Sequence, residues 1–476
     1  MIDLNKVSAM TLFFKPYRRL PVIAFFLLLA FPLVTFVAPM ALPGFTALAD
    51  DDDDDDDDDA GSGGGSTSGG SSRTRDDSSG GEIIRFLGKK RKSGKRVIRR
   101  QARVQVVRQS NVPNEIVALG LSQAQLRDLI DQGYEVLQSV RLELLDTDVL
   151  KLQVPAGTGL EQARALVGNL NPQALVDFNH YYRPETSENS GEATQVPCRG
   201  NHCAAWQMVG WPTGHAALAT CSSNIRIGLI DTGINAEHAA LSEANLEVRR
   251  LENDDRAPSG RQHGTAVAVM LAGAPGSRSP GLLPSAEIFA VDAFHRGRGK
   301  DDRGDVFEIL QAMDYLAQKS VSVINMSLAG PENVLLKKMV ERLSVKDVIL
   351  VAAVGNGGRG SKNMYPAAYP TVIAVTAVDR HERIFRRAVQ GEHVDFAAPG
   401  VNVWTAASVR GARSKTGTSF AAPFVTAVVA IAARKLESAD AEAVRKALAA
   451  SSRDLGGTGR DPVFGYGLIQ GTGLCP

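Results

Sequence analysis

The sequence predicts an α/β protein with a doubly wound, mostly parallel sheet and helices on both faces, preceded by a small α+β domain. In the C-terminal half, short β-branched runs alternate with helical segments and lack the period-two alternation of half-exposed strands. Ahead of them lies a stretch with the split βαβ order β-α-β-β-α-β. The chain has 476 residues, of which 44% are hydrophobic, so it can bury a sizeable core. A wholly disordered protein and a coiled-coil rod are therefore excluded.

Composition divides the chain into six segments: an export segment (1–49), a flexible linker (50–82), a basic tract (83–110), a split βαβ domain (111–185), a second linker (186–204) and an α/β domain (205–476). The formal net charge is +1, but the charges are segregated. Ten consecutive aspartates, Asp50 to Asp59, lie close to eleven Lys and Arg residues between Arg85 and Arg108. The near-zero net charge is therefore the sum of two opposed charged arms.

Residues 1–49 have the pattern of an export signal. Four basic residues precede an apolar run from Pro21 to Leu42, and Ala47 to Ala49 forms an Ala-x-Ala site, which predicts cleavage after Ala49. Because about twenty apolar residues span a bilayer, an uncleaved anchor is the alternative. In both cases the basic flank stays inside. We therefore expect a secreted or extracytoplasmic protein, in the periplasm or at the cell surface, with membrane anchoring as the second choice.

The linker and the basic tract have different expected properties. Residues 50–82 are almost all Asp, Gly, Ser and Thr, which predicts a flexible spacer. Residues 83–110 are interpreted as a solvated segment, or alternatively as a patch that binds anionic envelope components or the aspartates. A nucleic-acid partner is not expected, because export removes the chain from the cytoplasm.

The cysteines agree with export. The four, Cys198, Cys203, Cys221 and Cys475, match no zinc-binding spacing, and an even number in an exported chain indicates disulfides. Four cysteines allow three connectivities, which the sequence leaves open.

Periodicity predicts the elements of both domains. For the split βαβ domain they are a strand from Glu115 to Gly120, a helix capped by Ser122, a strand pair at Tyr134–Leu145 and Asp148–Val154, a helix at Leu160–Leu170 and a strand at Ala174–Tyr182. For the α/β domain the buried strands are Ile225–Ile230, Glu287–Val291, Ser322–Met326, Val348–Val354 and Thr371–Val375. In such a sheet, reactive groups collect where the strands end.

Three polar residues stand at places where this fold does chemistry. Asp231 ends the first of these strands within the segment DTG, and His263 opens an apolar helix. Ser419 lies at the first turn of another buried helix, where Gly417 allows a substrate backbone to approach and helix N–H groups face a developing oxyanion. An aspartic protease would need a second DTG in an all-β setting, and the GxSxG elbow of other serine hydrolases is missing. The chain order Asp, His, Ser indicates a subtilisin-type triad.

From residue 205 to 470 the chain resembles the subtilisin-like serine proteases. The resemblance rests on the segments GLIDTGIN, HGTAVA, VINMSLAG, VAAVGNGG, YPAAYPTVIAVTAVD, FAAPG, GTSFAAP and GYGL. It implies that Ser419 is the nucleophile, that His263 is the general base and acid, and that Asp231 supports the imidazolium.

The resemblance also implies how the substrate is held. Asn356 matches the oxyanion-hole amide, and Ser327, Leu328 and Ala329 match the edge strand that pairs with the substrate. The small residues Ala329 and Gly355 indicate an open pocket. No cofactor and no metal are expected: where several relatives hold calcium, the residues between Leu271 and Pro284 contain no Asp or Asn ligand. Diffuse calcium binding by the aspartate run is the remaining possibility.

Residues 111–185 resemble the inhibitory propeptide of such proteases, with residues 186–204 as the processing linker and 205–476 as the catalytic domain. We expect cleavage between Pro184 and Gln195 or just before it. The alternative is an accessory domain that is never removed. The predicted function is an exported serine endopeptidase made as a zymogen, with peptide substrates and its own propeptide as partners. The other hypothesis is a catalytically silent surface binding protein with the protease fold.

Overall fold

The computed structural model describes residues 108–185, 204–212, 215–251, 256–297, 301–436 and 440–475. The predicted export segment, the aspartate run and nearly all of the basic tract lie outside the described residues, as do Cys198 and Cys203. In the part of the chain that is described, no helix is long and apolar enough to cross a membrane.

The N-terminal domain is a four-stranded antiparallel arrangement with two helices. Its elements are β1 (Asn111–Leu119), α1 (Gln123–Asp131), β2 (Glu135–Leu142), β3 (Thr147–Gln153), α2 (Leu160–Leu170) and β4 (Leu175–Pro184). The strand order is β2-β3-β1-β4, and Ser122 caps α1 in a capping box with Gln125. One face of the sheet packs on the two helices through a small core that contains Ile116, Leu129 and Val167.

The C-terminal domain is built on a seven-stranded parallel sheet. Between residues 204 and 329 its elements are α3 (Ala204–Met208), α4 (His215–Ser222), β5 (Arg226–Asp231), β6 (Asn245–Arg250), α5 (Gln262–Ala272), β7 (Glu287–Asp292), β8 (His295–Arg296), β9 (Asp302–Asp305), α6 (Val306–Gln318), β10 (Val323–Met326) and β11 (Leu328–Ala329). The remaining elements are α7 (Val334–Val345), β12 (Ile349–Ala353), β13 (Val372–Val378), β14 (Phe396–Pro399), β15 (Val403–Ala406), β16 (Ala412–Lys415), α8 (Ala422–Lys435) and α9 (Ala441–Ser451). The strand order β14-β13-β12-β10-β5-β7-β6 confirms the predicted doubly wound α/β fold.

Helices cover both faces of this parallel sheet. The helices α5, α8 and α9 pack on one face, in a core that includes Val269 and Phe424. On the other face, α6 and α7 form a second core, which Leu142 and Tyr182 of the N-terminal domain join. Because the central strands are covered on both sides, they are almost entirely apolar.

The two domains share a sheet. Beyond its pairing with β1, β4 continues into the C-terminal domain, where it pairs antiparallel with β9 and with β11. In this register Tyr182 lies opposite Gly304, and Arg183 lies opposite Ala329. The end of β4 is thereby placed at the edge where the parallel strands β5, β10 and β12 end.

A disulfide joins Cys221 in α4 to Cys475 near the C-terminus, across a sequence separation of 254. Closing so long a loop in the unfolded chain costs about 5 kcal/mol of conformational entropy in the chain-entropy account.

We therefore expect the double variant Cys221→Ala/Cys475→Ala to lower the free energy of unfolding by about 2–5 kcal/mol, measured by guanidinium denaturation without reductant. In reductant, parent and double variant should unfold at the same midpoint, and equal midpoints for the two in the absence of reductant would contradict the expectation.

Candidate active site

Asp231 and His263 form a buried pair at the end of the parallel sheet. Asp231 is the last residue of β5, and His263 lies in the first turn of α5. The imidazole Nδ1 is 2.5 Å from Asp231 Oδ1, which also accepts the N–H of Thr232 at 2.7 Å. A carboxylate at Nδ1 holds the ring in the tautomer that leaves Nε2 as the acceptor.

A glycine makes this approach of α5 to β5 possible. A Cβ on Gly264 would lie 2.3 Å from the carbonyl oxygen of Thr232, so a larger residue would force the helix away from the strand. The Gly264 N–H instead donates to Thr232 Oγ1 at 2.9 Å. The Nε2 atom of His263 is buried and has no hydrogen-bond partner among the described residues. His263 can therefore accept a proton at Nε2 from a group that enters the cleft.

Ser419 lies in a 3₁₀ turn, Thr418–Phe420, that precedes α8, so the expected position in the first turn of the helix is corrected. The helix begins at Ala422 because Pro423 suits a first turn, where no N–H is needed. Ser419 is fully buried, and its Oγ donates to the carbonyl of Ser327 at 2.9 Å. The ring of the next residue, Phe420, lies 5.4 Å from the His263 ring, which brings the serine segment beside the imidazole.

Asn356 follows β12 and turns its amide group toward the serine segment. Its Oδ1 accepts the N–H of Thr418 at 3.2 Å and the Thr418 hydroxyl at 3.1 Å, which fixes the orientation of the amide. The Nδ2 donor is buried without a partner among the described residues. A Cβ on Gly417 would lie 3.2 Å from this Nδ2 and 2.3 Å from the carbonyl oxygen of Glu185. The unused donor and that carbonyl oxygen therefore both lie against Gly417.

The predicted substrate-binding residues contact the end of the N-terminal domain. Leu328 and Ala329 pair with Pro184 and Arg183, and the N–H of Glu185 donates to the Ser327 carbonyl at 3.3 Å. The Glu185 N–H also lies 3.0 Å from Ser419 Oγ. The end of the N-terminal domain therefore lies along this edge as an added antiparallel strand and ends beside Ser419.

Gly355 lies close to Met364 and to Ala329. Gly355 has a φ of +97°, and a Cβ there would come within 2.6 Å of Met364 Sδ and 3.5 Å of Ala329 Cβ. Met364 therefore lies beside the residues predicted to bind the substrate. The Glu185 side chain also reaches this segment, and its Oε2 accepts the backbone N–H of Asn356 at 2.5 Å. Burial raises the pKa of Glu185 to about 7, although this N–H, His263, Arg387 and Arg108 favour the charged form.

A second buried carboxylate supports the turn after Asp231. Asp292 lies beside Asp231 in the sheet register, and its Oδ1 accepts the Ser259 hydroxyl at 2.9 Å. That hydroxyl oxygen in turn accepts the N–H of Gly233 at 2.7 Å. Burial raises the pKa of Asp292 to about 6, and the charge of Asp231 adds to the effect.

These features match known proteins. A sequence model of the subtilase family matches residues 222–467. The chain belongs to the subtilase family of serine endopeptidases. Subtilisin DY of Bacillus licheniformis is 31% identical over 253 residues, which make up 52% of this chain and 89% of that protein. The subtilisin-like serine protease family predicted from the motifs is thereby confirmed.

Two further similarities concern only part of the matched proteins. The minor extracellular protease Epr of Bacillus subtilis (strain 168) is 33% identical over 253 residues, but the match covers 38% of its length. The crystal structure of fervidolysin from Fervidobacterium pennivorans, a keratinolytic enzyme related to subtilisin, superposes with a TM-score of 0.64. It is 20% identical, and the match covers 76% of this chain and 60% of fervidolysin, so it shows the shared fold.

Four residues at this subtilase site were not singled out from the sequence: Glu185, Asp292, Met364 and Thr418. Thr418 stands within the GTSFAAP motif, directly before the predicted nucleophile, and its position could have suggested a supporting role. Asp292 ends a predicted strand as Asp231 does, which is a usable signal. Glu185 and Met364 have no local signature, because only the tertiary fold brings them to the cleft.

We expect Asn356→Ala to lower kcat by about 10²–10³ while KM stays nearly constant, because the amide donor acts on a charge that develops in the transition state. Steady-state kinetics on a peptide substrate measure both constants. An unchanged kcat would remove Asn356 from this role.

Thr418→Val tests whether the orientation of that amide matters. It removes the hydroxyl donor to Asn356 Oδ1 and keeps the backbone donor, so kcat should fall by about three- to tenfold, the value of one hydrogen bond. Thr418→Ser keeps the hydroxyl and serves as the matched control, with kcat near that of the parent. Equal losses in both variants would indicate a packing defect instead.

Proposed function

We propose that this chain is an exported serine endopeptidase, made as a zymogen, that hydrolyses peptide bonds through Asp231, His263 and Ser419. The observation that supports it most strongly is the position of Glu185, whose N–H lies between Ser419 Oγ and the Ser327 carbonyl. The chain thus presents one of its own peptide segments to the serine in the manner of a substrate. The catalytic part agrees with the subtilase family, and the zymogen rests on the domain contacts described below.

In the proposed reaction, Ser419 Oγ attacks the carbonyl carbon of the residue before the scissile bond, and His263 Nε2 accepts the hydroxyl proton. The carbonyl oxygen gains negative charge next to the unused Nδ2 donor of Asn356. The proton then passes to the leaving amine, and an acyl ester remains on Ser419. Water, deprotonated by His263, hydrolyses that ester and restores the serine. Asp231 stabilises the imidazolium in both halves.

The N-terminal domain is proposed to act as an inhibitory propeptide, because it covers the helices beside the cleft. Asp177 Oδ2 accepts the N–H of Val334 at 3.0 Å, at the start of α7, and Asn179 Oδ1 accepts that of Phe307 at 3.4 Å, at the start of α6. These carboxylate and amide oxygens satisfy N–H groups that a helix leaves without internal partners. The domain therefore caps two helices of the catalytic domain while its last strand covers the cleft edge.

The interface between the domains is also charged. Lys151 of β3 is almost fully buried and lies 3.6 Å from Asp305, the N-cap residue of α6. Although burial opposes the charged form, Lys151 and Arg256 hold the pKa of Asp305 below its usual range. Leu144 adds a backbone N–H to Asp314 Oδ1 at 2.7 Å. Contacts of this kind specify how the domain docks.

Export is supported by two further observations. The Epr relative is described as extracellular, and a disulfide such as Cys221–Cys475 persists in oxidising compartments. We propose secretion, with the N-terminal segment removed. Peptide or protein chains are the expected substrates, and the propeptide is the first of them.

Ser419→Ala tests the proposal, because it removes the nucleophile from a chain that otherwise folds. We expect the variant to accumulate as a precursor that retains residues 111–185, and to lose labelling by a fluorophosphonate probe. Mass spectrometry of the secreted protein and gel fluorescence measure the two outcomes. Ser344→Ala, at a partly exposed serine near the end of α7, is the control and should mature and label normally. Maturation of the Ser419→Ala chain with no other protease present would contradict self-processing.

A further inference from the structure

The position directly before the scissile bond is occupied by an acidic side chain. Glu185 is only 8% exposed, and its Oε2 accepts the N–H of Asn356, the residue whose side chain would serve the oxyanion. The Asn356 N–H belongs to the backbone of the cleft wall, the segment from Gly355 to Gly358. It can therefore donate to any docked side chain that carries an oxygen at this distance. An apolar side chain would bury that N–H without a partner, which costs free energy.

Two arginines act on this position. Arg387, from the segment after β13, and Arg108, from the residues before β1, favour the charged form of the Glu185 carboxylate, as does His263 once it carries the serine proton. Arg387 lies against the cleft wall, since its carbonyl accepts the N–H of Gly358 at 2.7 Å and the nearby Val389 N–H donates to Gly355 at 3.0 Å. Removal of the N-terminal domain would take Arg108 away and leave Arg387 and His263 in place.

We propose that the cleft selects glutamate directly before the scissile bond, and that the chain cuts its own peptide bond after Glu185. This inference rests on the proposed endopeptidase function and names the substrate class of the same site. The residues upstream contribute to selection. Tyr182 is fully buried, with its hydroxyl donating to the Pro331 carbonyl at 2.8 Å, and Arg183 Nε lies 3.1 Å from Asp301 Oδ1. The cleft therefore fits the sequence Tyr-Arg-Pro-Glu.

The bond change is a simple hydrolysis. The C–N bond after Glu185 breaks, the amine of residue 186 leaves with the proton carried by His263, and water completes a new carboxylate on Glu185. All four cysteines, Cys198, Cys203, Cys221 and Cys475, lie on the C-terminal product. No disulfide can therefore tether the two products, and the N-terminal domain can leave.

Selection for glutamate carries a pH signature. Burial raises the pKa of the docked Glu185 from 4.5 to about 7, so the docked glutamate holds its proton where the free one has lost it. The contribution to binding is complete below pH 4.5 and is lost as pH rises to about 7. Glutamine is isosteric and does not titrate, so the ratio of the two rates cancels the ionisation of His263.

The experiment uses the full chain, secreted and matured, and begins with N-terminal sequencing of the product. We expect the first residue to be Thr186. Fluorogenic peptides containing Tyr-Arg-Pro-Glu-Thr-Ser are then compared with the same peptides carrying Gln, Lys or Phe in place of Glu. At pH 5, where most of the contribution of the protonated glutamate remains, the Glu peptide should have a kcat/KM about tenfold or more above the Phe and Lys peptides. From pH 5 to pH 7.5 the Glu-to-Gln ratio should fall about tenfold or more.

A variant pair locates the selectivity in the wall. At pH 7.5, where the docked glutamate is largely ionised, Arg387→Gln should lower the Glu-to-Phe ratio of kcat/KM by about two- to fivefold, the effect of one exposed charge. Arg386→Gln changes the neighbouring exposed arginine and should leave the ratio unchanged.

The outcomes separate the two proposals. If the fluorophosphonate probe labels Ser419 and casein is degraded, but the Phe peptide is cut faster than the Glu peptide or maturation ends at another residue, the glutamate selection is wrong and the endopeptidase function stands. If Ser419 is neither labelled nor active on casein, the proposed function itself fails, and the selection fails with it.

Discussion

The site depends on the parallel pairing of β5 and β12 with β10. Met326 of β10 lies opposite Ile230 on one side and Ala352 on the other, so the segments that follow these strands start at the same edge of the sheet. Asp231, Ser327 and Asn356 are thereby brought together from distant parts of the chain. The helix α8 is locked to the same strands, since Thr426 Oγ1 donates to Asn325 Oδ1 at 2.9 Å. A shift in this register would move the carboxylate, the substrate-binding carbonyl and the amide donor at once.

The Ser327 carbonyl shows how this edge links enzyme and substrate. It accepts Ser419 Oγ at 2.9 Å and the N–H of Glu185 at 3.3 Å, while the Ser327 hydroxyl donates to the Ser419 carbonyl at 3.0 Å. In the docked state, therefore, Ser419 Oγ donates to the sheet edge, and His263 Nε2 has no hydrogen-bond partner among the described residues. The serine must rotate toward the imidazole before attack, since catalytic hydrogen bonds often tighten only in the reactive complex. A docked tail in this arrangement is held close to the nucleophile without being committed to the reaction.

Local patterns in the sequence were sufficient to predict the strands buried on both faces and to single out Asp231, His263 and Ser419 as candidates. Each of these has a signature within a few residues: a β-branched run, a strand-end carboxylate, or a glycine beside the polar residue. Periodicity could not predict the strand β9, because it is four residues long and forms by pairing with β8 and β4. The two-residue strand β11 was expected only through the family resemblance, as the edge strand for the substrate. The same limit explains Glu185 and Met364. Their roles come from tertiary contacts between segments that are far apart in sequence, and Ser419 was misplaced by one turn because a 3₁₀ segment has no distinct periodicity.

The chemistry of the domain interface bears on the proposed release of the N-terminal domain after cleavage. While the chain is intact, the end of β4 up to Glu185 competes with substrate for the cleft at the high effective concentration of a tethered ligand. Cutting the chain would turn this into a bimolecular competition. The interface then has to hold by its own contacts. Several of these contacts join buried charges, such as Lys151 and Asp305. The cost of removing both charges from water offsets much of their mutual attraction. Burial also raises the pKa of Glu115, which faces the same cluster, so the interior of this interface disfavours the charge on that carboxylate. An interface with these contacts is consistent with the proposal that the domain orients the chain end for cutting and is then released.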